Sequence, residues 1–163
     1  MKHFIRLVQG KGFVSRLIEF RTSSDWPTHV ELVATTDDDV PSYGVLSSRY
    51  PRGVQYRGYS DYPIQRDRWY KVILPSDACE RAWKAMETII GQKYDVRDII
   101  GCKYGIALNE DWHTDHRWIC SEAVAWAFEK AGTPLFNPAE PVARITPRDF
   151  LLSTLLSLAK VIK

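Results

Sequence analysis

The chain has 163 residues, of which 45% are hydrophobic, so we expect a single domain spanning residues 1–163 with its own core. Its 22 Lys and Arg residues against 20 Asp and Glu residues give a net charge of +2. A charge this small does not by itself indicate a polyanionic partner.

Cysteine usage and the apolar runs indicate where the protein works. Cys79, Cys102 and Cys120 are an odd number without paired spacing, which is typical of free thiols in a reducing compartment. The N-terminal apolar run is too short for a signal peptide, and no stretch approaches the roughly 20 apolar residues of a spanning helix. We therefore expect a cytoplasmic protein without stable membrane insertion; its oligomeric state stays open.

The first half of the chain is predicted to be rich in strands. Residues 4–8 have strand character and end at the turn Gly10-Lys11-Gly12, after which apolar residues recur at helical spacing from Phe13. Further strands are predicted over residues 28–34, 43–47, 53–57 and 69–74.

The second half is predicted to be mainly helical. Ser76 and Asp77 offer N-caps for a helix over about residues 78–91, and a shorter helix is expected over residues 94–106. The helix that follows Cys120 should end at Gly132. Residues 146–149 combine an N-cap, a proline and an acid, which predicts a last helix through about residue 159. The order of elements predicts an α+β fold.

Cys120 is a candidate nucleophile because it stands immediately before a helical stretch. Free backbone N–H groups and the helix dipole favour an anion there, so the thiol can be held as a thiolate and attack a carbonyl. His29 lies in the strand-like run 28–33 and can serve as the base. A structural role in the core is the alternative for either residue taken alone.

A third residue has to orient the histidine, and two candidates are in the sequence. Glu31 projects from the same face of the strand as His29, roughly 6.6 Å further along. Ser47, on the adjoining strand, is the competing candidate. Spacing alone leaves the choice between them open.

A metal site is an alternative role for Cys120 and the histidines that precede it. The run His-x-x-His-x-x-x-Cys, with His113, His116 and Cys120, supplies three possible zinc ligands. A fourth would have to come from His3, His29 or Cys102. The glycines at 10–12 fit neither a phosphate loop nor a dinucleotide fingerprint. We predict no metal and no cofactor.

Basic and aromatic residues alternate between Arg49 and Lys71, a pattern that can grip single-stranded nucleic acid. Asp61 and Asp67 dilute the positive charge within this stretch. We interpret it as an ordinary sheet surface and predict no nucleic-acid partner.

Several motifs, taken in chain order, resemble those of the circularly permuted papain-like cysteine amidases. This family is the permuted, YiiX-like branch of the NlpC-type hydrolases, and the likeness is to its small phage and prophage members. The most specific motifs are the His-Val-Glu strand at 29–31 and the Cys-Ser-Glu helix start at 120–122. Softer matches are Gly12, Ser15 and Ile18, the Gly53-Val54 strand, and residues 91–95.

The resemblance implies a permuted papain-like fold, with an antiparallel sheet packed against helices and the histidine strand preceding the cysteine helix. It also implies that Cys120 is the nucleophile and His29 the general base. Several relatives carry an acidic third residue on the strand after the histidine strand, where this chain has Val45-Leu46-Ser47-Ser48. The third role is therefore open between Glu31 and Ser47, and we favour Glu31.

The expected function is cleavage of an amide or ester bond through an acyl-enzyme, with a peptide, a cell-wall fragment or another acyl compound as substrate. The alternative is a non-catalytic module of the same fold. Such a module would bind an acyl chain or a peptide in a cleft lined by Trp26, Trp112 and Trp118.

Overall fold

The structure, a computed structural model, describes residues 2–23, 26–36, 44–58, 64–96, 99, 116–137, 142 and 145–162. The helices with described bounds are α1 (Phe13–Thr22), α2 (Ser76–Glu87) and α3 (Cys120–Lys130). The strands are β1 (Lys2–Gly10), β2 (His29–Thr35), β3 (Gly44–Arg49), β4 (Gly53–Arg57), β5 (Ile64–Val72), β6 (Lys93–Tyr94), β7 (Arg117–Trp118) and β8 (Leu156–Ile162).

An antiparallel sheet of six strands, in the order β4-β3-β2-β1-β5-β8, forms the centre of the molecule. The short strands β6 and β7 pair in parallel beside it. The α+β fold with an antiparallel sheet packed against helices, predicted from the sequence, is confirmed.

The two faces of the sheet differ in chemistry because successive strand residues point to opposite sides. One face packs against α2 and α3 in the main core cluster, which includes Leu7, Val30, Leu32, Met86, Val124 and Phe128. On the other face, a small apolar group adjoins buried charged and polar side chains. These are Arg6, His29, Glu31, Ser47, Arg49 and Asp67.

The predicted helix over residues 146–159 is wrong. A four-residue 3-10 helix, Asp149–Leu152, forms there, and the chain then continues as strand β8. The local capping signal is genuine, because the Asp149 carboxylate accepts hydrogen bonds from the N–H and the hydroxyl of Thr146, both over 2.7 Å. Beyond the 3-10 helix, the backbone of β8 forms hydrogen bonds to β5 in the sheet. These bonds replace the ones that a continued helix would make.

Two other helix predictions need revision. Helix α2 covers Ser76–Glu87, so it starts and ends earlier than residues 78–91. Ile90, which the predicted range includes, lies beyond the end of α2 and is 39% exposed. Tyr94 belongs to β6 rather than to a helix, and most of the range 94–106 lies outside the described residues. No helix among the described residues has both the length and the apolar character that crossing a membrane requires.

Candidate active site

Helix α3 presents Cys120 as its first residue, after Ile119 in an extended N-cap conformation. The helix ends at Lys130, and Gly132, with a φ of +75°, takes the left-handed position just beyond its C-cap, as predicted. The N–H groups of Gly132 and Thr133 donate to the carbonyls of Glu129 and Phe128. The carboxyl end of α3 is therefore fixed by its own sequence, and the thiol lies at the amino end.

Two serine hydroxyls fix the start of α3 in the fold. Ser48 on β3 donates to the carbonyl oxygen of Trp118 over 2.7 Å, and Ser121 donates to that of Ile145 over 2.6 Å. Both serines are fully buried, so neither bond competes with bulk water. The residues on either side of Cys120 are thus tied to the sheet and to the segment before the 3-10 helix.

The start of α3 lies where strands β2 and β3 stop pairing. Their register runs from Ala34 opposite Gly44 to Leu32 opposite Leu46. If it continued, Val30 would lie opposite Ser48. Instead, the backbone N–H of Val30 donates to the Cys120 sulfur, and the Ser48 hydroxyl donates to Trp118. The structure therefore places the Cys120 sulfur against the residue that follows His29.

His29 is buried at the start of β2 and is engaged through its Nε2 atom. The Nε–H of Arg49 donates to this nitrogen over 2.9 Å. A carboxylate oxygen of Glu31, Oε1, lies 3.4 Å from the same nitrogen. Beyond the last paired residues of β2 and β3, His29 and Arg49 stand at corresponding positions of the two strands, and their side chains meet.

Glu31 is the centre of a buried ionic cluster. Its carboxylate pairs with Arg49 and also accepts a bond from Nη1 of Arg6 over 3.0 Å. Arg6 in turn contacts the Asp67 carboxylate at 2.6 and 2.7 Å. All these side chains are at most 7% exposed, so each charge depends on its partners rather than on water.

Arg49 is the residue of this site that sequence reasoning missed. We grouped it with the basic and aromatic stretch that begins there, whereas the structure buries it against His29 and Glu31. The available signal was Glu31 itself, because an acidic residue within a strongly apolar strand requires a buried cation. Finding which cation pairs with it depends on the register between β2 and β3.

Ser47, the competing third residue, also lies on the polar face of the sheet. Its hydroxyl is fully buried and makes no hydrogen bond within the described part of the chain. Glu31 is in reach of the imidazole, whereas Ser47 is not hydrogen-bonded to it. The geometry is therefore in keeping with Glu31 in the orienting position.

Protonation at the site differs from the expectation of a preformed thiolate. Burial raises the pKa of the Cys120 thiol to about 11, although N–H groups of Val30 and Ser121 and the charge of Arg49 act in the opposite direction. Burial, reinforced by the charge of Arg49, lowers the pKa of His29 to about 4. The resting pair is a neutral thiol and a neutral imidazole, because desolvation outweighs the helix dipole.

Glu31 responds in the opposite way to burial. Burial alone would raise the pKa of its carboxyl group, but the contact with His29 and the charges of Arg49 and Arg6 lower it to about 2. A carboxylate held between two guanidinium groups remains ionised at any physiological pH. The negative charge that an imidazolium would need is therefore present beside His29.

A small pocket adjoins Cys120 at the start of α3. Its volume is about 10 Å³, roughly room for one water molecule. Its wall is mainly apolar and is formed by Ile99 together with residues of α1, the start of α3 and the segment before the 3-10 helix: Ile18, Thr22, Ile119, Cys120, Ser121, Thr146 and Pro147. Cys120 is therefore buried at the side of a cavity rather than enclosed in the main core.

Other residues singled out in the sequence lie away from this pair or outside the described range. Cys79 is buried on α2. His3 lies 3.7 Å from Glu80. Trp26 and Trp118 belong to the main core cluster, so they do not line an open cleft as the binding hypothesis required. Cys102, Trp112 and His113 are outside the described residues.

The described part of the basic and aromatic stretch does not form one surface. Trp69 and Tyr70 lie in two different buried clusters on opposite faces of the sheet. Arg66 and Arg68 stack over the ring of Trp26 at 4.8 and 5.7 Å from its centroid. These side chains serve packing within the fold.

Comparisons with known proteins give a fold and no sequence family. No protein-family model and no curated protein matches the sequence. A crystal structure described as metalloprotein yiiX from Escherichia coli O157:H7 superposes with a TM-score of 0.66 at 15% identity. The match covers 98% of this chain and 96% of that one. Among the described residues here, His, Cys, Asp and Glu side chains form no group of three or more arranged to hold a metal ion. The chain therefore has the fold of this YiiX protein.

Proposed function

We propose that the chain is a papain-like cysteine hydrolase of the permuted, NlpC-type class, in which Cys120 is the nucleophile and His29 the general base. The observation that carries the proposal is the hydrogen bond from the Val30 N–H to the Cys120 sulfur. It joins the helix that bears the thiol to the strand that bears the imidazole, one residue from His29. The substrate is an amide or ester of a peptide, a cell-wall fragment or another acyl compound.

The reaction starts from the neutral pair. The Cys120 thiol gives its proton to His29 as the sulfur attacks the carbonyl carbon, and the C=O electron pair moves to the oxygen. The C–N or C–O bond then breaks, and the imidazolium returns the proton to the leaving amine or alcohol. Water, deprotonated by His29, hydrolyses the thioester and restores the thiol.

Backbone N–H groups at the start of α3 supply the stabilisation that the oxyanion needs. The N–H groups of Cys120 and Ser121 already face the sulfur. At a helix start these groups have no partner within the helix, so they are available to an oxygen formed beside the sulfur. They act without reorganisation, because hydrogen bonds of Ser48 and Ser121 fix this segment.

Glu31 supports the same chemistry as an orienting residue. It is ionised, buried and 3.4 Å from Nε2 of His29, so it can accept a hydrogen bond from an imidazolium. Its own position is fixed by Arg6. This arrangement corresponds to the acid that holds the histidine in a catalytic triad.

A binding module of the same fold is the second candidate, and the protonation of the site favours it. A cysteine that is 1% exposed with a pKa raised to about 11 has the properties of a structural thiol. An acyl chain or an aliphatic side chain would then bind by widening the small, mainly apolar pocket beside Cys120, without reacting with the thiol.

A thiol-directed activity probe distinguishes these candidates. A peptidyl fluoromethyl ketone with a small aliphatic residue next to the warhead should label Cys120 in the folded protein and lose this labelling on unfolding. Cys79→Ala is the matched control, because Cys79 is also a buried thiol whose pKa is raised by burial. The control variant should be labelled at the wild-type rate, and Cys120→Ala should not be labelled. Reversible binding of the same peptide without adduct at Cys120 would support the binding module instead.

A further inference from the structure

The hydrogen bond between Arg49 and His29 determines where the imidazole carries its proton. The guanidinium group has only N–H donors, so Nε2 of His29 must accept over the 2.9 Å that separate it from Nε. A neutral imidazole has one donor and one acceptor nitrogen. With Nε2 as the acceptor, the ring proton lies on Nδ1.

This tautomer conflicts with the role of a base. Nε2 is engaged by Arg49 and Glu31, so Nδ1 is the nitrogen through which His29 would exchange a proton with the sulfur. In the Nδ1–H tautomer this nitrogen already carries a proton and cannot accept another. The ring can accept a proton at Nδ1 once its own proton has moved to Nε2. Glu31 then lies within reach to accept a hydrogen bond from the Nε2–H group.

We propose that Arg49 is a positioning residue that holds His29 in the Nδ1–H tautomer at rest, and that the site becomes active when Nε2 passes from Arg49 to Glu31. This inference rests on the proposed hydrolase function and deepens it by naming how the site is kept inactive. The exchange keeps the ring neutral: one water takes the proton from Nδ1 and another water gives a proton to Nε2.

The neighbouring contacts make Arg49 the movable partner. Glu31 remains bound to Arg6, and Arg6 remains bound to Asp67, whether or not Arg49 keeps its bond to the ring. Arg49 is the last residue of β3, next to the turn at residues 50–52, where Tyr50 is 57% exposed. A ligand that displaces this turn would withdraw the Nε–H of Arg49 from His29 and its Nη2 from Glu31, while the bond from Arg6 keeps Glu31 in place.

The direct test is the tautomer of His29 in the unliganded wild-type protein, read by nitrogen NMR on 15N-histidine-labelled material at neutral pH. Loss of one set of ring signals in His29→Gln assigns the residue. We expect Nδ1 to have the shift of a protonated, pyrrole-type nitrogen and Nε2 that of an unprotonated, pyridine-type nitrogen. A wild-type protein with the proton on Nε2 would overturn the role of Arg49.

A matched pair of variants tests whether Arg49 is the cause. Arg49→Met and Arg6→Met each remove one guanidinium group from Glu31, and Arg49→Met also removes the hydrogen bond to Nε2 of His29. The proton should move to Nε2 in Arg49→Met and stay on Nδ1 in Arg6→Met. Retention of the Nδ1–H tautomer in folded Arg49→Met would contradict the proposal. If either variant fails to fold, the tautomer of His29 in the wild-type spectrum still tests the role of Arg49.

The prediction of the His29 tautomer and the prediction that the probe labels Cys120 can fail separately. A wild-type His29 with its proton on Nε2, in a protein whose Cys120 is still labelled by the thiol probe, would leave the hydrolase proposal standing without a role for Arg49. The expected tautomer in a protein whose Cys120 is never labelled would overturn the hydrolase function, and with it any gating by Arg49.

Discussion

The backbone N–H of Val30 is hydrogen-bonded to the sulfur of Cys120, so strand β2 and helix α3 meet at the candidate nucleophile. His29 precedes Val30 on the same strand, and Arg49 and Glu31 surround its ring. The thiol and the imidazole are therefore positioned by a rigid sheet and a capped helix rather than by loops. Changes to this junction should alter chemistry and stability in ways that can be measured separately.

Stability should fall on mild acidification because of His29. Its pKa is about 4 in the folded protein against 6.5 for an ordinary histidine, so between these values the unfolded chain binds a proton that the folded protein does not. The free energy of unfolding is therefore at its full value above pH 6.5 and decreases by about 3 kcal/mol as the pH falls toward 4. Urea unfolding at a series of pH values should show this loss.

His29→Gln is the control for that measurement, because it removes the titrating ring. The variant should lose less stability than the wild type between pH 6.5 and pH 4. Glu31 acts at lower pH, since its stabilising ionisation is lost as the pH falls from 4.5 toward 2. Equal pH profiles for the wild type and His29→Gln above pH 4 would contradict the assignment.

The resting thiol should react slowly with a small alkylating reagent. Because the pKa of Cys120 is raised to about 11, the thiolate fraction at neutral pH is on the order of 100-fold below that of a free cysteine. The rate of iodoacetamide modification of Cys120 should rise with pH and should be nearly the same in His29→Gln. A fast, pH-independent reaction between pH 6 and pH 8 that His29→Gln abolishes would instead reveal a preformed ion pair.

Glu31 and Ser47 should respond very differently to substitution. Glu31→Gln leaves two buried guanidinium groups without their shared carboxylate, so we expect a loss of about 3 kcal/mol in unfolding free energy and a lower kcat. Ser47→Ala removes a buried hydroxyl that makes no hydrogen bond within the described part of the chain, and its stability should change by less than about 1 kcal/mol. A larger loss of kcat in Ser47→Ala would reassign the orienting role.

The serine that anchors the start of α3 should matter for activity beyond its effect on stability. Ser48→Ala deletes the bond to the Trp118 carbonyl, and Ser153→Ala deletes a similar bond to the Leu135 carbonyl outside the site. Each should cost about 1 kcal/mol in thermal or urea unfolding. Only Ser48→Ala should lower kcat, and an equal fall in Ser153→Ala would show a general effect of lost stability.

Local patterns predicted most of the sheet and the main helices. The strand predicted over residues 53–57 has the same bounds as β4. The strand predicted over residues 28–34 starts and ends one residue before β2. These segments have strong local signals, namely β-branched runs bounded by turns. The C-terminal segment failed because β8 is stabilised by pairing with β5, a partner far away in the sequence.

Half of the candidate site could be predicted, and the other half depends on tertiary contacts. Cys120 at a helix start and His29 on a strand have local signatures. Arg49 reaches His29 because of the register between β2 and β3, which no local pattern contains. The neutral state of Cys120 likewise follows from burial, whereas the sequence indicated only a helix start. The single-domain organisation and the cytoplasmic location stay predictions.

Formation of a thioester on Cys120 is the most direct test of the account. Intact-protein and peptide mass spectrometry after mixing with a short aliphatic nitrophenyl ester should show one acyl group on Cys120 that appears and then decays by hydrolysis. In His29→Gln the acylation rate should fall by at least about 100-fold. Acylation at an unchanged rate in His29→Gln, or an acyl group on Cys79 instead of Cys120, would contradict the central claim.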